Sequence, residues 1–243
     1  MELRDVLRDL VSTTNGIDFD CISVTREDRG QGMRVYMEAY TSDKTLVMRA
    51  YTKEDVPAVS GKFGLGNIGF LQGIVHNGIY KSDSTEIKVQ ERNGTVKGLT
   101  FSADGNDIEY LVVAENYIPA QPRFNEQPYD VEVIPSAAKV QELKSFSSLF
   151  KSFSSLITPY TEGDDLYFFV GEKNKNNHNG KLQFSKTEGQ LNRGYGYPID
   201  RVFQALARVS NAESKTMGFT KTGMMNVTVD TGVAVYSIYI SGS

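Results

Sequence analysis

The 243-residue chain carries 26 Lys and Arg against 30 Asp and Glu, a net charge of −4, and 40% of it is hydrophobic. That is enough apolar material for one sizeable core or two smaller ones, and two are expected. One cysteine, Cys21, and two histidines, His76 and His178, exclude an internal disulfide and argue against a Cys/His metal centre.

Taken in chain order, the first element is helical. Residues 3–12 put Leu3, Val6, Leu7 and Leu10 on one stripe, while Arg4 and Arg8, four apart, share the opposite side. The alternation of charge and hydrophobe there is unlike a secretory leader, and no run has the length of a membrane span, so a soluble cytoplasmic protein without membrane contact is expected. Strand-like runs rich in β-branched and aromatic residues follow, "MRVYMEAYTS" and "KTLVMRAYT" among them. The region 21–51 is long for a connection between the first helix and the second, and "REDRGQGMR" within it reads as an extended hairpin loop.

"KFGLGNIGFLQGIV" holds Gly64, Gly66 and Gly69 at G-x-G-x-x-G spacing. A dinucleotide loop needs a buried strand running into the first glycine, a long helix behind it and a parallel crossover beyond. Upstream lies the loop-like "KEDVPAVSGK". Downstream Ile68, Leu71, Ile74 and Val75 support only a short helix within 64–78, closed at Asn77-Gly78 in the manner of a left-handed cap. Next comes "TEIKVQERNGTVKGLTF", two alternating runs around Asn93-Gly94, which signals an antiparallel hairpin. The glycines therefore read as packing residues, and no cofactor is expected.

Three prolines and no clear period mark 116–130 as an extended connector. A first domain is expected over 1–118, a connector over 119–130 and a second domain over 131–243. In the second half, "KSFSSLFKSFSSLI" repeats Phe, Leu and Lys seven apart and predicts a helix over 144–157 carrying Lys144 and Lys151. "YPIDRVFQALARVS" predicts another over 199–210, with Arg201 and Arg208 away from its apolar stripe. The asparagine-rich tract 172–181 reads as a polar hairpin tip. Helix, strands, short helix, hairpin and strands thus occur twice, one plan used two times.

The four helical segments hold six Lys and Arg against four acids, leaving 20 against 26 for the rest of the chain. Mildly basic helices in an acidic protein suit a surface that faces phosphates while the remainder avoids nucleic acid. Enzyme signatures are missing: there is no G-x-S-x-G, no Walker loop and no H-E-x-x-H, and the acidic pairs Asp164-Asp165 and Asp104…Asp107 fall in turns, where Asp accepts backbone hydrogen bonds.

The order of pieces resembles the DNA sliding clamps, most closely the trimeric processivity clamps of tailed bacteriophages. "KFGLGNIGFLQGIV" resembles the family's strand leading into its second inner helix. "NGTVKGLTFSADGNDIEYLVVAENYI" is similar to the hairpin and strands closing the first domain. "VQELKSFSSLFKSFSSL" resembles a strand leading into the third helix, and "YGYPIDRVFQALARVS" with "VDTGVAVYSIYIS" the fourth helix and closing hairpin. The resemblance implies an α+β clamp fold of two similar domains, antiparallel sheets outside and two helices inside each. It implies a non-enzymatic, head-to-tail ring, a homotrimer, enclosing double-stranded DNA without sequence preference and binding a DNA polymerase and a clamp loader. Its cytoplasm would be the host's if the gene is a phage's. DNA-facing candidates are Arg4, Arg8, Lys144, Lys151, Arg201 and Arg208. Ile118, Pro119, Tyr236 and Tyr239 are candidates for a partner-peptide pocket, although the two tyrosines lie on opposite faces of a strand, so at most one need face it. A β-rich virion or tail component is the alternative.

Overall fold

A computed structural model describes residues 1–122, 126–171, 178–191 and 194–243. The expected tip 172–181 falls outside the described residues over 172–177. The chain divides into two compact units, Met1–Pro122 with Thr231–Tyr236, and Arg123–Asp230 with Ser237–Ser243.

In the first unit, helix α1 (Leu3–Thr13) buries Leu3, Val6, Leu7, Leu10 and Val11, as its stripe requires. Strands β1 (Cys21–Asp28), β2 (Met33–Tyr40), β3 (Leu46–Thr52) and β4 (Lys62–Gly66) follow and lie in the order β4-β1-β2-β3. The expected long loop between β1 and β2 is short. Asp28 Oδ1 accepts from Gly30 N at 2.7 Å and Gly32 N at 3.1 Å, and both glycines have positive φ, so the strands run up to a tight turn.

The strand expected to be missing before the glycine motif is present, because β4 contains Gly64 and Gly66 themselves. A Cβ on Gly64 would stand 2.5 Å from Cys21 Sγ, so glycine is what lets β4 close on β1. That pairing is antiparallel, with Ser23 opposite Gly64, in place of the parallel pairing that a dinucleotide fold needs. Asn67, at φ 47°, turns the chain into α2 (Ile68–His76). The left-handed cap expected at Asn77 is replaced by extended backbone, and Asn77 Oδ1 accepts from Ile79 N at 2.9 Å. Strands β5 (Glu86–Arg92), β6 (Thr95–Ala103) and β7 (Asn106–Leu111) form a second sheet, and Asn93-Gly94 makes the expected hairpin with both residues at positive φ. The short β8 (Val113–Ala114) returns to pair with β4.

The second unit starts with β9 (Val131–Val133) and α3 (Ala137–Ser148), capped by Ser136 Oγ accepting from Lys139 N at 3.2 Å. The predicted third helix at 144–157 is therefore displaced toward the N-terminus. Ser147 and Phe150 turn the chain with short-range bonds to Phe150 N, Phe153 N and Ser154 N. Leu156 and Ile157 belong to strand β10 (Leu156–Glu162). Strands β11 (Asp165–Val170), β12 (Gly180–Lys186) and β13 (Tyr197–Pro198) complete a sheet ordered β13-β10-β11-β12. Helix α4 (Ile199–Leu206) is shorter than predicted and ends in a tight turn at Val209–Asn211. Strands β14 (Ser214–Phe219), β15 (Met224–Asp230) and β16 (Ala234–Ser241) follow, with β9 paired to β14. The two units thus share one plan: β1 to β4 correspond to β10 to β13, and β5 to β7 correspond to β14 to β16.

The first residues of β16 belong to the first unit, and Asp9 holds them there. Its buried carboxylate accepts from Thr231 Oγ1 at 2.7 Å and from Tyr236 Oη at 2.8 Å. Removing the Tyr236 hydroxyl deprives a buried charge of a donor. Tyr236→Phe is expected to cost about 1.5–3 kcal/mol in denaturant unfolding at pH 7. In the second unit Asp130 accepts from Lys221 N at 2.7 Å and pairs with Lys221 Nζ at 2.8 Å, which pulls its pKa below the ordinary value. A depressed carboxylate contributes stability above its unfolded pKa, and the contribution is lost as pH falls through the lower folded value. The acid limb of the stability curve, below about pH 4, is expected to flatten in Asp130→Asn.

Candidate nucleic-acid interface

Each unit presents two helices packed side by side, α1 with α2 and α3 with α4. Their apolar stripes enter the core, so what they show to solvent is set by the remaining positions. On α1 those include Arg4 and Arg8, one turn apart. Both lie over the segment that follows α2. Arg8 Nη1 pairs with Asp83 Oδ1 at 3.0 Å, and Arg8 Nη2 donates to the carbonyls of Ser82, at 3.0 Å, and Lys81. Arg4 Nη1 donates to the Asp83 carbonyl, and its guanidinium lies 3.5 Å from Asp5 and 3.8 Å from Glu2. With 15% and 26% of their side chains exposed, these arginines hold the 81–83 backbone, a role their position on an open helix face did not reveal.

Helix α2 contributes no cation before His76. Its exposed positions include Gly69, Gly73 and His76, and a Cβ at either glycine would meet nothing within 4 Å. In the second unit Lys144 is exposed on α3. Lys151, expected on the same helix, is exposed in the turn beyond it. Arg201, half-buried on α4, donates from Nη1 to Gln204 Oε1 at 3.0 Å, and Arg208 is half-buried just past the helix. Sequence reasoning passed over Lys139, whose Nζ pairs with Glu142 Oε2 at 2.7 Å and donates to the Gln183 carbonyl at 3.2 Å. Lys81, exposed to solvent where its carbonyl accepts from Arg8, was also passed over. Six candidates thus separate into two arginines bound to their own loop, two half-buried arginines and two solvated lysines. Such dispersed charge can attract a polyanion weakly and offers no array for reading base edges.

The peptide-pocket candidates are placed differently. Tyr236 is fully buried with its hydroxyl on Asp9, so it faces a core and supplies no pocket wall; strand alternation sends it inward. Tyr239 is 7% exposed, and its hydroxyl donates to Glu126 Oε1 at 2.9 Å; burial first, then that carboxylate, raises its pKa. Ile118 is half-buried against Gly64, where a Cβ would stand 3.3 Å from its Cγ1, and Pro119 is exposed. Among the described residues no group of three or more His, Cys, Asp or Glu is placed to hold a metal ion, and no helix is long and apolar enough to cross a membrane.

No protein-family model and no curated protein matches the chain. Solved structures match it along nearly its whole length. It is similar to the A. fulgidus PCNA solved with the C-terminal region of FEN-1, at 9% identity, 99% of this chain and 94% of that chain covered, and a TM-score of 0.67. It is similar to a PCNA from Thermococcus kodakaraensis at 10% identity, 99% and 97% coverage and a TM-score of 0.67. A chain of the PCNA2–PCNA3 complex from Sulfolobus tokodaii matches at 11% identity, 98% and 96% coverage and a TM-score of 0.65. The chain has the α+β fold of the PCNA-type sliding clamps. None of these three is a virion or tail component.

Reversing both solvated lysines, Lys144→Glu with Lys151→Glu, is expected to weaken association with duplex DNA and to shallow its dependence on log salt by about 0.9 for each phosphate no longer neutralised. Titrations at several salt concentrations measure this. Arg8→Ala should act chiefly on hydrogen exchange of the 81–83 segment.

Proposed function

We propose that this protein is a DNA sliding clamp: a ring of like subunits that encloses duplex DNA and tethers a replicative polymerase. The observation that carries the reading is the near-complete, two-way coverage of PCNA-type clamps by a chain that repeats their plan within itself. Enzyme chemistry has no part in it. The dispersed cations suit the task, since a clamp must hold phosphates without gripping any base, and each strong contact would slow sliding.

The ring rests on two open sheet edges. Within the first unit, β3 has the first residues of β16 beside it. The counterpart of β3 is β12 and the counterpart of β16 is β7, and among the described residues both have an outer edge without a strand. Open edges invite pairing, so β12 of one protomer meets β7 of the next, head to tail. Apolar groups flank both. Beside β12, the rings of Phe146 and Phe150 cover Gly180, while Leu149 is 70% exposed and Phe153 43%. At β7, Leu111 is 71% exposed, and Phe70, 48% exposed, stacks on Tyr110 with ring centroids 6.2 Å apart. Three subunits close the ring, a clamp loader opens it, and a partner enzyme holds it through a short terminal segment, by analogy with the FEN-1 region on the A. fulgidus protein.

Solution mass tests the assembly: the wild type should sediment at three times the 27.0 kDa protomer, and Leu111→Lys with Phe153→Asp should give folded monomer. A monomeric wild type would sink the ring. Function is read from primer extension with loader and polymerase, where the clamp should lengthen products and the double variant should not.

A further inference from the structure

The two units differ at the sheet edge that β9 occupies. In the second, β9 lies antiparallel on the outer edge of β14, with Val131 opposite Phe219, Glu132 opposite Gly218 and Val133 opposite Met217. Val131 and Val133 are 1% and 5% exposed and complete the core, while Glu132 points outward. In the first unit the counterpart of β14 is β5. It pairs with β6 on one side, and among the described residues no strand lies on the other. A groove of about 290 Å³ opens at the start of β5, lined by the apolar Leu3, Pro57, Ala58 and Ile87 together with the polar Glu2, Arg4, Thr85 and Glu86.

We propose that this groove and the edge of β5 bind an extended, proline-free peptide segment with apolar residues at alternate positions, added as a strand in the way β9 is added to β14. The groove selects the place. Ser60 Oγ donates to the Glu91 carboxylate and ties the preceding loop to the far half of β5, so only the half that starts at Glu86 is open. Glu86, Lys88, Glu91 and Arg92 guard the edge against another flat sheet, as mixed charges on edge strands do. They do not obstruct a short strand whose side chains drop into the groove, since backbone hydrogen bonds supply affinity and alternate pockets supply selectivity. The site lies wholly in the first unit and is separate from β7 and β12, so it stands whether or not the ring reading does.

The test uses the full chain and a capped, fluorescently labelled peptide with the sequence of residues 130–134, the molecule's own example of such a strand. Saturable binding is expected, with hydrogen exchange of residues 84–92 slowed at least fivefold and other sheet edges unchanged. The Glu132→Pro version of the peptide should bind at least tenfold more weakly, because proline cannot donate to the ladder. In the protein, Ile87→Lys should weaken binding at least tenfold while the melting curve stays in place, Ile87 being only half-buried. No saturation at millimolar peptide, protection at β7, β9 or β12 in place of β5, or equal binding of the proline peptide would each overturn the proposal.

Discussion

Backbone pairing is the constraint on which this molecule depends. The described residues hold sixteen strands, and each carries donors and acceptors on two sides that must be satisfied by a neighbour, by water or by another chain. Most are satisfied within a plan used twice, four antiparallel strands beside three, with a pair of helices covering each set. At β9 on β14 and β8 on β4 a short added strand covers the edge of a longer one. Among the described residues β5, β7 and β12 keep one side without a strand, and an unpaired side is open to pairing with another chain.

The same plan explains why the helices are plain. Most of their apolar residues go to the core, and apart from Phe70 on α2 what remains outside is small, polar or sparsely charged. Exposed positions of α2 include Gly69, Phe70 and Gly73, and α3 shows Lys144 among serines, Gln141 and Glu142. A face like this has little hold on any particular groove pattern in a duplex. Electrostatic attraction to a phosphate backbone needs no more than scattered cations, and mobility along it needs that they be few.

Arg4 and Arg8 illustrate how tertiary contacts reassign residues that look free on a helical wheel. Position four apart on the polar side of α1 implied solvent, and the wheel had no means of including a loop about 75 residues further along the chain. Asp83 and the carbonyls of 81 and 82 supply that loop, and two charges assigned to a ligand serve the fold. Tyr236 went the same way. Alternation along β16 limited which tyrosine could face out, but only the buried Asp9 carboxylate, 227 residues distant in sequence, accounts for its orientation.

Local patterning by itself determined the elements whose cause is local: the stripe of α1, the Asn93-Gly94 hairpin and the twofold order of helix and strand. It mistook α3, because the seven-residue recurrence of Phe and Leu continues past Ser148 although the chain turns there, and periodicity alone does not distinguish the last turn of a helix from the first residues of a strand. It also counted Gly64 with the second helix although Gly64 sits in β4, since this glycine's reason is the Cys21 sulfur it makes room for. Tertiary structure alone decided which strands are edges, which cations are already bound, and where a groove lies open beside β5. These follow from pairings between distant segments, and no window of the sequence contains both partners.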